Sequence, residues 1–126
     1  MATIKKFEEI EVWQRSRVLL NELYKITASK SFKSDFILKN QMLRASISIM
    51  SNIAEGFGRK SKKEFANFLN ISHASAAELQ SQLYIALDQK YIDKSLFENL
   101  YNECTEISKM ILGFQNYLRK LENSNT

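Results

Sequence analysis

The stretch SISIMSNIAEGFGR, from Ser46 to Arg59, decides the fold of this chain. It begins with small and apolar residues at helical spacing and ends at two glycines followed by a basic run. Read as a helix together with the residues before it, it carries two apolar rows roughly 100° apart. One row comprises Leu38, Met42, Ala45, Ile49, Ile53 and Gly56, and the other comprises Leu43, Ile47, Met50, Ala54 and Phe57. Since a surface helix normally needs one apolar stripe, this helix is expected to be covered on most of its circumference, within a bundle or against another chain.

The end of the stretch predicts how this helix stops. Glu55 and Arg59 are four residues apart and are therefore able to pair along the helix. Gly56 and Gly58 suit a helix C-terminus, where a residue in the left-handed conformation satisfies the last carbonyl groups.

Apolar repeats of three and four residues predict four helices, of which the helix just described is the second. The first is predicted from about Glu9 to Thr27, and the second from an N-cap near Asp35 to around Phe57. The third and fourth are predicted to open at capping boxes that begin with Ser61 and Ser95. Short connections and the absence of strand patterns predict an all-α fold, an antiparallel up-down-up-down four-helix bundle. We expect residues 1–126 to form a single domain, in which small residues let the second and third helices cross closely.

Composition favours an intracellular protein. The chain has 126 residues and a net charge of +4, which permits an anionic partner without requiring one. Its single cysteine, Cys104, fits a reducing cytoplasm, and no apolar run approaches the roughly 20 residues that cross a bilayer. The charged N-terminus is unlike a signal peptide. We therefore expect a cytoplasmic location.

Catalytic constellations are not visible in the sequence. The only histidine, His73, has Asn70 three residues before it, so the Glu-x-x-His pattern of di-iron bundles is missing. Cys104 falls on the core row of the fourth helix and is expected to be an inert thiol. Glu55 and Glu78 fit a structural ion pair or cap better than general acid–base chemistry. We expect no catalytic residues, no metal site and no cofactor.

Basic residues are more informative. Arg59, Lys60, Lys62 and Lys63 place four positive charges within five positions at the turn between the second and third helices. Two interpretations remain open: a phosphate-binding surface, or a solvated turn whose lysines complement helix dipoles. The candidate nucleic-acid-binding residues are these four, with Arg44, Arg15 and Arg17 as possible helpers.

The segment Ser48–Arg59 also carries a resemblance, through its pattern Ser-Ile-x-x-Asn-Ile-Ala-Glu-Gly-x-Gly-Arg. It resembles the signature of small bacterial four-helix-bundle proteins encoded within intervening sequences of 23S rRNA genes. A related branch contains the accessory variability determinants of diversity-generating retroelements. The matching motif residues are Asn52, Glu55, Gly56, Gly58 and Arg59. The resemblance implies a homo-oligomer, a pentameric ring, and in the retroelement branch a reverse transcriptase and its RNA as partners.

The sequence thus favours a non-enzymatic, homo-oligomeric scaffold that binds RNA or DNA phosphates with little sequence preference. The alternative is a protein–protein interaction adapter that does not bind nucleic acid. Neither hypothesis expects membrane association.

Overall fold

Four α-helices account for most of the protein. The computed structural model describes residues 3–124 and the side chains of residues 3–121. The helices are α1 (Glu11–Thr27), α2 (Phe36–Phe57), α3 (Lys62–Asp88) and α4 (Lys94–Ser124), and a short 3-10 turn, Phe7–Glu9, precedes α1. Successive helices are antiparallel, since connections of four to eight residues join them. The all-α four-helix bundle predicted from the sequence is confirmed.

Apolar side chains from all four helices meet in one core cluster. Helix α2 packs against α1 and α3, and α4 packs against the same two helices from the other side. The fourth helix contributes the row predicted for it, and Leu100, Cys104, Ile107 and Ile111 are almost completely buried. The N-terminal segment lies against α1 and α2 through the 3-10 turn, which moves the start of α1 from the predicted Glu9 to Glu11.

Side-chain caps define most helix starts. Asp35 caps α2 by accepting a hydrogen bond from the Leu38 amide at 3.0 Å. Ser61 caps α3 by accepting from the Glu64 amide at 3.1 Å. The N-caps predicted at Asp35 and Ser61 are thus confirmed, although the Glu64 carboxylate accepts from the Ser61 hydroxyl, at 3.3 Å, and not from the Ser61 amide as in a full capping box. The capping box predicted at Ser95 is wrong, because the Asp93 carboxylate accepts from the Leu96 amide at 2.8 Å and α4 already begins at Lys94. Because a carboxylate is a strong N-cap acceptor, α4 begins after Asp93, two residues earlier than predicted.

The predicted left-handed glycine cap of α2 is also wrong. Gly58 has φ −77° and ψ −4°, which are right-handed values, and no glycine has a positive φ among the residues described. Gly56 lies inside the helix, where a Cβ would meet Phe65 Cδ1 and Phe68 Cβ at 2.8 Å each. The function of Gly56 is therefore to admit α3, and not to reverse the chain.

Helices α2 and α3 do cross closely, as the small residues predicted. The Ser72 hydroxyl donates a 2.8 Å hydrogen bond to the Ile49 carbonyl of the opposite helix. One turn away, the Ser75 and Ser48 hydroxyls are 2.8 Å apart. Contacts from short side chains to the facing backbone require the helix axes to lie near one another.

The two apolar rows of α2 have different environments. Every member of the first row is buried, from Leu38 to Gly56. In the second row Leu43 is buried, whereas Met50, Ala54 and Phe57 are half-buried and Ile47 is exposed. One chain thus covers the first row completely and the second only in part.

Candidate nucleic-acid interface

One end of the bundle brings together the segments that carry the predicted basic residues. Ile4, Phe57, Phe65 and Leu118 line a common hollow of about 300 Å³, so the N-terminal segment, the end of α2, the start of α3 and the end of α4 meet there. Lys5, Lys6, Arg119 and Lys120 are exposed on these segments. They join the turn that holds Arg59, Lys60, Lys62 and Lys63, which we call the basic turn.

Within the basic turn the four cations are not equivalent. Arg59 donates to Glu55 Oε1 at 3.0 Å, and its guanidinium lies 4.6 Å from the centre of the Phe68 ring. The Glu55–Arg59 pair predicted from the sequence is therefore confirmed. Lys60 and Lys63 are exposed and Lys62 is half-buried. Arg59 is thus held against the corner of the bundle, and the three lysines project around it.

Two helix ends converge on the basic turn with opposite electrostatic effects. Arg59 and Lys60 follow the last residue of α2, where positive charge complements the helix dipole. Lys62 and Lys63 are the first two residues of α3, where the dipole is positive and a cation is unfavourable. The interpretation of the turn as dipole-complementing lysines therefore suits α2 and does not suit α3.

The motif residues build this corner of the bundle. Asn52 donates from its amide nitrogen to the Ser48 carbonyl at 2.8 Å and to the Ser48 hydroxyl at 3.1 Å. Glu55 holds Arg59, Gly56 admits the two phenylalanines of α3, and Gly58 donates its amide to the last carbonyls of α2. The motif thereby fixes where the basic turn lies.

The three helper arginines lie away from the basic turn. Arg44 is exposed on α2, fifteen residues before Arg59, which places it about 22 Å away along the helix axis. Arg17 lies with its guanidinium 5.9 Å from the Trp13 ring centre. Arg15 binds Glu103 of α4 through two nitrogens, at 2.9 and 2.8 Å, and this hydrogen bonding raises the pKa of the guanidinium further. The structure therefore groups the four residues of the turn and separates the other three.

Sequence reasoning missed two partners. Phe68, one of the apolar residues at helical spacing in α3, is the ring that the Arg59 guanidinium contacts. Glu103 was not singled out, although it pairs with Arg15 across 88 residues of sequence. The spacing of an aromatic residue nearly two turns into the next helix could have suggested the first contact, whereas nothing local signals the second.

The single cysteine and the single histidine lie within helices α4 and α3. Burial raises the pKa of the Cys104 thiol to about 12, so it stays protonated at neutral pH. His73 is half-buried on α3. Within residues 3–121, no group of three or more His, Cys, Asp or Glu side chains is placed to hold a metal ion. No helix in the described part of the chain combines the length and apolar character needed to cross a bilayer.

Comparison with known proteins agrees with the motif. The family model of the 23S rRNA-intervening sequence proteins matches residues 8–113. This range includes every motif residue and the whole basic turn. The chain belongs to the 23S rRNA-intervening sequence protein family. The resemblance inferred from Ser48–Arg59 is thereby confirmed.

A solved structure is similar to this member of the 23S rRNA-intervening sequence proteins. It is a protein with unknown function from the S23 ribosomal protein family of Bacteroides thetaiotaomicron VPI-5482. The two chains share 28% sequence identity and superpose with a TM-score of 0.75, over 82% of this chain and 97% of the other. No protein with a curated description matches.

Proposed function

We propose that this protein is a non-enzymatic, homo-oligomeric scaffold that binds RNA or DNA phosphates through the basic turn. One observation carries the proposal: Lys62 and Lys63 occupy the first turn of α3, where cations oppose the helix dipole. Positive charge at this position lowers the stability of the fold, and a residue that lowers stability is expected to have another function. The same helix end that disfavours lysine favours an anion.

The geometry of the turn suits a phosphate group. The Ser61 hydroxyl accepts a hydrogen bond from the Glu64 amide, and the Ser61 carbonyl accepts one from the Phe65 amide. The amides before Glu64 at the start of α3 have no partner within the helix. A phosphate at this end would accept from those amides and be neutralised by Lys60, Lys62 and Lys63. Arg59, held by Glu55 and Phe68, would help to position the turn. Arg15, Arg17 and Arg44 are left outside the proposed contact.

Self-association would strengthen this binding. The resemblance to ring-forming relatives suggests a pentamer, in which chains of net charge +4 would carry +20 in total. A basic surface repeated around an axis attracts polyanions through release of counterions, with little sequence preference. In the retroelement branch of the family, the bound polyanion would be the RNA of a reverse transcriptase.

A protein–protein interaction adapter is the second candidate function. It is favoured by Phe36 and Ile37 at the opposite end of the bundle, whose exposed fractions are 67% and 82%. Exposed apolar pairs of this kind are typical of protein contacts. On this hypothesis the basic turn would be ordinary surface, and nucleic acid would not bind.

Titration of a fluorescent structured RNA at several salt concentrations, followed by fluorescence anisotropy, tests the proposal. The variant Lys60→Gln, Lys62→Gln, Lys63→Gln should weaken binding at least tenfold in low salt. It should also reduce the slope of log affinity against log salt by about 2 to 3, since each lost phosphate contact removes about 0.7 to 0.9.

The matched control removes the same charge from the other end, as Lys30→Gln, Lys33→Gln, Lys94→Gln. Lys94 opens α4 as Lys62 opens α3, so the control also removes a lysine from the first position of a helix. The control should retain the salt slope. Equal losses in both variants would reduce the effect to net charge, and no binding of the unmodified protein at low salt would overturn the proposal in favour of the adapter.

A further inference from the structure

The interface between α1 and α4 is an open groove that the Arg15–Glu103 pair crosses. Two hollows lie along it, of about 450 and 220 Å³. The larger one is floored by Ile10, Val12, Met110 and Phe114. The smaller one is lined by the Arg15–Glu103 pair itself and by Leu19 and Val18, of which Val18 is 62% exposed. We call this feature the α1–α4 groove.

The rim of the groove is acidic, in contrast to the net positive charge of the protein. Glu9 and Glu11 line the larger hollow, and Glu22 and Glu103 line the smaller one. Glu106 lies close enough to Arg15 to raise the pKa of its guanidinium by electrostatic attraction, as Glu103 and Glu11 also do. The nearby cations are Arg15, which is bound to Glu103, and Lys109, whose ammonium is 3.8 Å from Glu106. Lys5 and Lys6 are also exposed next to the larger hollow, and the Lys5 amide donates to Glu9 Oε1 at 3.2 Å. Five carboxylates thus face four cations. The rim therefore carries an excess of negative charge.

We propose that the α1–α4 groove binds a basic amphipathic helix of another protein. Such a helix lays its apolar face into an apolar groove, while cations on its flanks meet carboxylates on the rim. The charge of the rim determines the class of occupant: it repels the phosphates of nucleic acids and of anionic lipids and attracts lysine and arginine. This inference is independent of phosphate binding by the basic turn.

Gly113 supports a helical occupant. It is one helical turn from Met110 and from Tyr117, both of which line the larger hollow. A Cβ at Gly113 would have no neighbour within 4 Å, so the glycine has no packing function within the chain. It leaves bare backbone beside the groove, where a second helix can approach closely.

The test uses the full chain and two synthetic 18-residue peptides. Both carry leucines along one helical face; one has lysine and arginine at the flanking positions, and the other has glutamate. Fluorescence anisotropy should show that the basic peptide binds at least tenfold more tightly than the acidic one. When the basic peptide is added to the isotope-labelled protein, the largest changes in amide chemical shift should occur in α1 and α4.

Two groove variants sharpen the result. Removal of rim carboxylates as Glu11→Gln, Glu22→Gln, Glu106→Gln spares the Arg15–Glu103 pair and should weaken the basic peptide about tenfold. The control, Glu78→Gln, Asp88→Asn, Glu98→Gln, removes the same charge elsewhere and should change the affinity less than twofold. Gly113→Gln should weaken binding of the basic peptide and raise the thermal stability of the protein. A variant that failed to fold would lose both, so this combination distinguishes a lost contact from a lost fold.

Several outcomes would overturn the inference. These are equal binding of the two peptides, equal loss in the rim variant and its control, and NMR shifts that lie outside α1 and α4. A change in the solution mass of the protein caused by the rim variant would assign the groove to a second copy of this chain instead. The Lys60→Gln, Lys62→Gln, Lys63→Gln variant should bind the basic peptide normally, so failure of the phosphate proposal and failure of this one are distinguishable.

Discussion

At the scale of single residues, two properties lead to predictions: the absence of a side chain at a helical glycine, and the raised pKa of the buried Cys104 thiol. Gly56 and Gly113 illustrate the first, since both are helical glycines and only one has a neighbour. Arg15, Glu103 and Arg59 are likewise defined by their partners on other helices or turns. Predictions at this scale therefore depend on the immediate surroundings of each atom.

The two helical glycines should respond to alanine in opposite directions. Gly56→Ala places a methyl group 2.8 Å from Phe68 Cβ, an atom that moves only with its backbone, and should destabilise the protein by about 1–3 kcal/mol. Gly113→Ala meets nothing within 4 Å and should stabilise it by up to about 1 kcal/mol through helix propensity. Urea unfolding of both variants measures the difference. A neutral Gly56→Ala would contradict the close approach of α3.

Cys104 should link stability to pH. The thiol is completely buried, and its pKa of about 12 compares with about 8.5 in an unfolded chain. Between about pH 9 and 12 the unfolded state has lost this proton and the folded state keeps it. The free energy of unfolding should therefore fall with rising pH, by up to about 1.4 kcal/mol per unit.

The comparison is with Cys104→Ala, unfolded in urea at pH 7, 9 and 10. This variant should be less stable at pH 7 because it leaves a cavity, and it should lack the thiol's share of the alkaline decline. Parallel pH profiles would show that another group is responsible. Thiol reagents should leave folded Cys104 unmodified at neutral pH.

At the scale of elements, the ends of helices decide both stability and the proposed function. Arg59 and Lys60 lie just beyond the cap residue of α2 and complement its dipole, whereas α3 begins with two lysines that oppose its dipole. The unfavourable placement of positive charge is confined to one turn of one helix, which makes the proposed function accessible to experiment.

Lys62→Gln and Lys63→Gln should each raise the free energy of unfolding by about 0.3–1 kcal/mol at low ionic strength. The gain should shrink in high salt, because the interaction with the helix dipole is screened. Thermal unfolding at two salt concentrations measures it. The controls Lys62→Arg and Lys63→Arg keep the charge and should change nothing, whereas a loss of stability in the glutamine variants would contradict the unfavourable placement of the lysines.

At the scale of the whole molecule, exposed apolar residues set the question of assembly. Ile47, of the second row of α2, is 40% exposed, and Ile71 and Ile85 of α3 are 47% and 46% exposed. These side chains lie on the pair of helices that cross most closely. The expectation of self-association, drawn from the second apolar row, therefore stays a prediction with a defined surface.

Light scattering should give a solution mass that is a multiple of the 14.7 kDa chain. Ile47→Gln combined with Ile71→Gln should lower that mass, because burial of these side chains between chains would favour assembly. Val18→Gln, on the opposite side of the bundle, removes a comparable exposed side chain and should not. A strictly monomeric protein at micromolar concentration would contradict the expectation.

The sequence by itself determined the helices and their order. Helix periodicity, the caps at Asp35 and Ser61 and the Glu55–Arg59 pair all depend on residues three or four apart, and such interactions form wherever the chain becomes helical. The motif from Ser48 to Arg59 was likewise sufficient for the family. The cap of α4 was misassigned because Asp93 and Ser95 both suit an N-cap, and the local pattern did not choose between them.

Only the tertiary structure decided the functions of Gly56, Arg15 and the α1–α4 groove. Gly56 depends on Phe65 and Phe68 of the next helix, and Arg15 on a carboxylate 88 residues away. The groove arises from residues at both ends of the chain. Contacts of this kind follow from the relative placement of whole helices, which is the outcome of packing the entire core and leaves no local pattern in the sequence.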